Sequence, residues 1–193
     1  TEPDKSQYKA TEVEKHTDDE VPSIAIIPFD NKGAQEDVFY AYGISADLIS
    51  SVTSAGLIRV ASLKDIEKLD YQNLESAEIS RIVFIRYIAN GTLWKMGDMF
   101  QLSIELYDTK EARVVWSDRW QENWDNLPSI KSNLSDGLLK SLNAKPSYEE
   151  NKEIVNPEAY EYYLRAEHKF QKRQTADDIE LAMGLSQKAV EID

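Results

Sequence analysis

In 100-FQLSIELYD-108, Phe100, Leu102, Ile104 and Leu106 alternate with Gln101, Ser103, Glu105 and Tyr107. A two-residue period turns every second side chain to the same face, so the segment predicts a strand with one dry and one wet side. Turn signals at Met96-Gly97-Asp98 and at 108-DTKEAR-113 place partner strands in 86-RYIANGTLWK-95 and 114-VVWSDRWQ-121. The expected unit is an antiparallel three-strand meander. Its dry face has to be covered by helices.

The earlier part of the chain follows another pattern. In 22-PSIAIIPFDNKG-33, Ile24, Ala25, Ile26, Ile27 and Phe29 are apolar without alternation, which predicts a strand over 23–29 buried on both faces. Helical spacing of Phe39, Tyr42, Ala46, Ile49 and Val52 predicts a helix, with Asp37 as its cap and Gly56 as its stop. Gly43 lies inside that helix, where it costs about 1 kcal/mol relative to alanine, and close packing against the sheet is the expected reason. A second strand is predicted at 57-LIRVAS-62, followed by a short helix capped by Ser62 with Asp65 and another over 76–82. A right-handed crossover makes the first two strands parallel.

Beyond the meander, Asp125 is the expected cap of a helix with Leu127, Ile130, Leu134, Leu138 and Leu142 on one stripe. Residues 144–155 are polar and contain Pro146, which reads as a linker. Asn156-Pro157 then opens a helix whose apolar face is Tyr160, Tyr163, Leu164 and Phe170. Thr175 with Asp178 opens a last helix carrying Ile179, Ala182, Leu185, Ala189 and Ile192, so the pair predicts a helical hairpin. Residues 1–20 hold seven acids and three bases and read as a disordered acidic linker. The organisation is thus a linker at 1–20, an α/β domain at 21–145, and a linker with a helical hairpin at 146–193. Both ends read as cuts in a longer protein.

Composition narrows the chemistry. A net charge of -13 opposes attraction to nucleic acid or anionic lipid, so no nucleic-acid partner is expected. Cysteine is absent, which removes disulfides, thiolate metal sites and a cysteine nucleophile. Apolar runs reach about six residues, against the roughly 20 of a membrane helix. There is no Gly-x-Gly-x-x-Gly and no phosphate loop, and the histidines are His16, in the leader, and His168, on a polar helix face. No catalytic residue, metal site or cofactor is expected. Asp30 and Asn31 stand where the first strand should end, the usual place for ligand groups in open α/β sheets. The competing reading is a turn stabilised by Asx side chains. Trp116 and Trp120 share a strand face, with Trp94 on the meander and Trp124 just beyond, and they read as a core layer or as partner anchors.

The order 22-PSIAIIPFDN-31, 38-VFYAYGISADLISSV-52, 57-LIRVAS-62 and 87-YIANGTLWKMGDMFQLSIELYDTKEARVVWSDRW-120 resembles the TolB amino-terminal-like domain over residues 21–143. That domain occurs in the C-terminal halves of many bacterial class III adenylate/guanylate cyclases and of CadC-like activators. The chain departs at Tyr42-Gly43, where the family commonly has Asp-Gly, and at Glu111, where it has a turn glycine.

The resemblance implies an α+β fold like the anticodon-binding domain: a mixed sheet of about five strands, helices mainly on one face, and a C-terminal helical hairpin. It implies no catalytic residue. It also implies tetratricopeptide repeats downstream, with Ala182 and Ala189 at the small positions of a second repeat helix. From this follow a non-enzymatic regulatory or protein-interaction module in a signalling protein, and protein partners at the helical region through Tyr160, Tyr163, Phe170 and Leu185. The parent is expected to be membrane-anchored, with this part periplasmic, or cytoplasmic if the parent lacks a membrane helix. The alternative is a sensor of a nucleotide or envelope metabolite bound at Asp30 and Asn31.

Overall fold

A computed structural model describes residues 21–144 and 156–192; the predicted leader and almost all of the predicted linker lie outside them. The described elements, in chain order, begin with β1 (Ser23–Ile26), β2 (Asp30–Asn31), α1 (Val38–Ser54), β3 (Arg59–Val60), α2 (Leu63–Glu67) and α3 (Ser76–Val83). They continue with β4 (Tyr87–Met96), β5 (Met99–Asp108), β6 (Arg113–Asn123), α4 (Leu127–Ser141), α5 (Pro157–Gln171) and α6 (Ala176–Ile192). The fold is α+β, with a six-stranded mixed sheet in the order β3-β1-β4-β5-β6 and β2 beside β4. β1 pairs parallel to both β3 and β4, and β4, β5 and β6 form the antiparallel meander.

Sheet and helices meet in two cores. On one side, Ile24, Ile26, Ala89, Leu93 and the dry row of β5 pack with Tyr40, Ile44 and Leu48 of α1 and with Leu134 and Leu138 of α4. On the other, Ala25, Ile27 and Ile88 meet Ile66 of α2 and Ile79 of α3. The first strand is therefore dry on both faces, as its unbroken apolar run requires. Helices α2 and α3 cover only the β3-β1-β4 end of that second side. The rest of it stays wet, which is the polar half of the β5 alternation.

Local differences from the sequence reading have identifiable causes. The strand expected at 23–29 stops at Ile26, because Pro28 has no N–H to offer a ladder, and pairing with β4 resumes at Asp30. β3 is only two residues long. Asp37 lies in a 3₁₀ turn and makes no cap bond; its carboxylate sits 3.6 Å from Lys95 Nζ instead. Asp125 likewise lies in a 3₁₀ turn ahead of α4. Gly56 does end α1, at φ +69°. Gly43 faces α5 and not the sheet: a Cβ there would lie 2.8 Å from Leu164 Cδ2.

A buried ion pair ties the start of β4 to the end of β5 within the meander. Arg86 Nη2 donates to Asp108 Oδ2 at 2.6 Å, and the Asp108 carboxylate also accepts from the backbone N–H groups of Lys110 and Glu111. Burial pushes this carboxyl upward, but those donors outweigh it and hold it below the usual carboxylate range. β6 is the outer strand of the meander, 11 residues long, with a bulge opposite Leu106 and Tyr107.

Gly91 on β4 gives a direct test of this packing. A Cβ at that position would lie 2.6 Å from two ring atoms of Phe29. Gly91→Ala is expected to lower stability by about 1–3 kcal/mol, the usual range for overpacking, read as a lower urea midpoint at unchanged slope.

Candidate functional site

Among the described residues two surfaces carry exposed chemistry: the helical hairpin with its joint to the domain, and the wet face of the sheet. The joint is built around α1, whose residues from Phe39 to Ser45 are all buried, with the sheet on one side and α5 on the other. Tyr160 Oη of α5 donates to Asp47 Oδ2 at 2.8 Å, and Lys131 Nζ of α4 lies 3.3 Å from Asp47 Oδ1. Glu161 of α5 accepts from Tyr40 Oη, from Trp124 Nε1 at 2.9 Å and from Arg165 Nη2 at 2.6 Å. Glu67 of α2 accepts from Tyr42 Oη at 3.0 Å and from Lys172 Nζ. Each carboxylate in this joint is held by two or three donors from different elements. That is the condition for keeping charge away from water.

Titration follows that arrangement. Burial pushes the Tyr160 and Tyr40 hydroxyls well above the ordinary tyrosine value, so both stay donors at neutral pH. Burial also raises the Glu161 carboxyl, but bonds from Tyr40 and Trp124 and the charge of Arg165 reverse this and leave it below the ordinary glutamate value. His168 is not on an outer polar face. It meets Tyr42 edge-on at 5.2 Å, and burial, then Lys172 and Lys169, lower its pKa against the opposing pull of Glu67.

The proposed interaction residues separate. Tyr160 is only 6% exposed, so it belongs to the joint and not to a free surface. Its ring stacks on that of Tyr163, which is exposed. Phe170 is exposed beneath the Arg173 guanidinium at 4.0 Å, and Leu185 is half-buried on α6. The larger free stripe on α6 is Ile179, Met183 (66% exposed) and Val190 (74%), of which the sequence reading names Ile179 alone. Spacings of four and seven residues are the signal in the sequence that marks this stripe. Ala182 is the buried residue of α6 and marks the side turned to α5.

On the sheet, Asp30 and Asn31 point to opposite faces, as neighbours in a strand must. Asn31 Oδ1 accepts from Gly33 N at 3.1 Å and its amide donates to the Ala34 carbonyl, an Asx turn. Asp30, aligned with Thr92, lines an open trough of about 1040 Å³ together with Tyr71, Asn90, Ser103, Glu105 and Arg119. The Asp30 carboxylate also pairs with Lys32 at 3.2 Å. Trp116 and Trp120 lie on the dry face, and the ring of Trp116 fits against Gly137 of α4. Trp94 faces the other way and is 46% exposed, so it is not part of the core layer. Among the described residues no group of three or more His, Asp or Glu side chains could hold a metal ion.

No family model matches the chain. The Rhizobium meliloti (strain 1021) protein named "Putative adenylate cyclase 3" is 23% identical over 151 residues, 75% of this chain and 26% of that protein. The chain thus spans about a quarter of the length of this relative. Among solved structures, TolB from Acinetobacter baumannii superposes with a TM-score of 0.51 at 19% identity, over 66% of this chain and 29% of TolB. This is a likeness of fold. A lipoprotein from Neisseria meningitidis gives a TM-score of 0.44 at 15% identity, over 52% of this chain and 79% of its own.

The joint has a predictable acid response. A carboxyl with a lowered folded pKa stabilises fully above its unfolded value and loses that contribution as pH falls through the folded one. A histidine with a lowered folded pKa resists protonation, so acidification below its ordinary value also disfavours the fold. Both act in one direction. Amide exchange in α5 should accelerate relative to β4 and β5 between neutral pH and about pH 4, after correction for intrinsic rates. Glu161→Gln should flatten the lower part of that response.

Proposed function

We propose that this chain is a non-enzymatic regulatory and protein-interaction module of a larger bacterial signalling protein, of the adenylate/guanylate cyclase kind. The observation that carries it is the hairpin. α5 is fixed to the α+β domain by Asp47, Glu161, Glu67 and the Gly43–Leu164 approach, while α6 presents Ile179, Met183 and Val190 to solvent. A rigidly mounted helix with an open apolar stripe is suited to receiving another helix. In this reading α5 and α6 begin a tetratricopeptide array, whose units bury their faces only by stacking. The partial match to a protein named as an adenylate cyclase supports the choice of parent.

Placement follows from the same reading. The module sits in the cell envelope, carried by a membrane-anchored parent; among the described residues no helix is long and apolar enough to cross a membrane. A signal received at the repeats reaches the domain through the joint, because α5 belongs to both.

The experiment uses the intact parent. Substituting Ile179, Met183 and Val190 together by Glu should abolish stimulus-dependent change in cyclase output while protein level and unstimulated output stay as before. Unaltered stimulus dependence would remove the hairpin from the mechanism. The isolated chain, incubated with ATP or GTP, is expected to show no turnover.

A further inference from the structure

The trough on the wet face shares no residue with the hairpin or its joint. Its floor is a grid set by strand register. One row runs Asp30, Thr92, Ser103 and Arg119 across β2, β4, β5 and β6. The adjacent row holds Asn90, Glu105 and Ser117, and on the other side, on the same sheet face but beyond the trough's own lining, lie Trp94, Gln101 and Gln121. Neighbours within a row stand about 4.8 Å apart and successive rows about 6.6 Å apart. That is the scale of linked pyranose rings.

The side chains select the ligand class. Amides and hydroxyls both donate and accept, as vicinal sugar hydroxyls do. Thr92 and Ser103 already share a hydroxyl hydrogen bond of 2.7 Å at the centre of the floor. The Glu105 carboxylate and the Arg119 guanidinium make no ion pair among the described residues, which leaves both able to bind a ligand. Trp94 offers a 46% exposed indole at the end of the grid, the kind of side chain on which the apolar face of a sugar ring stacks.

Other classes fit less well. The Asp30 and Glu105 carboxylates share this face with a single guanidinium, that of Arg119, and the chain carries -13, so phosphates and uronates meet repulsion. Ile27, Pro28 and Ile104 line the trough but are themselves buried, so a lipid or apolar peptide would find little dry area.

We propose that this face is a binding site for a neutral oligosaccharide, lying across β4, β5 and β6 with one ring stacked on Trp94 and its hydroxyls bonded along the Asp30-Thr92-Ser103-Arg119 row. The site is independent of the hairpin. A module that binds glycan here and protein through α6 reads two inputs.

Titration calorimetry with an N-acetylglucosamine tetramer and with maltohexaose, against cyclic AMP and an oligogalacturonate, tests the assignment. One of the neutral glycans should bind saturably, with a change in tryptophan fluorescence. Trp94→Ala should weaken binding by about tenfold or more, a loss of about 1.4 kcal/mol, while Trp94→Phe retains most of it. Gln101→Ala, on the same exposed row, should weaken binding without altering the thermal midpoint, and it decides the matter if Trp94→Ala folds poorly. The Ile179/Met183/Val190 substitutions should leave glycan binding intact. Absence of binding by both neutral glycans, tighter binding of either anion, or indifference to both Trp94→Ala and Gln101→Ala would overturn the proposal.

Discussion

The arrangement depends on α1 being dry on two sides. A helix that packs only on a sheet needs one apolar stripe, but here consecutive residues from Phe39 to Ser45 are buried. The sheet accounts for one side and α5 for the other. Gly43 sets how closely the two helices approach, since the Leu164 side chain occupies the space a Cβ would need. Buried polar residues then fix which way α5 lies. Asp47 and Glu161 would be costly to strand without donors, which favours the docking that brings Tyr160, Tyr40 and Trp124 to them. Hydrophobic contact supplies the attraction, and the carboxylates supply the orientation.

Much of the fold was legible because period reports burial. The β5 alternation identified one wet and one dry face, and the unbroken apolar run of β1 identified two dry ones. Caps were legible where the side chain is the cap: Ser62 accepts from Asp65 N, and Asn156 accepts from Glu158 N. Asp37 and Asp125 misled, because each precedes a helix through a 3₁₀ turn that changes which residue stands at the boundary.

The candidate sites were less legible, for a physical reason. Tyr160, Tyr163 and Phe170 share a helical spacing, but spacing does not tell which neighbour a face meets, and Tyr160 proved to meet α1. The joint involves residues more than 100 positions apart in sequence, such as Tyr40 with Glu161, and no local pattern announces such a pairing. Trp94 was grouped with Trp116 and Trp120 by residue type, whereas the strand register puts it on the opposite side of the sheet. Asp30 and Asn31 are neighbours in sequence, and adjacency in a strand is what separates them: one lines the trough, the other ties its own turn.

The outer strand of the meander has a consequence for how the protein behaves in a crowded solution. β6 offers a long margin of backbone groups to any passing chain, unlike the two-residue β3 at the opposite margin. Arg113, Asp118, Arg119 and Glu122 stud that margin with both signs of charge, and the bulge bends the ladder out of line. An incoming segment would have to match charges and curvature together, a demand that sticky, nonspecific association cannot meet. Among the described residues, charge and curvature thus guard the outer margin of the sheet.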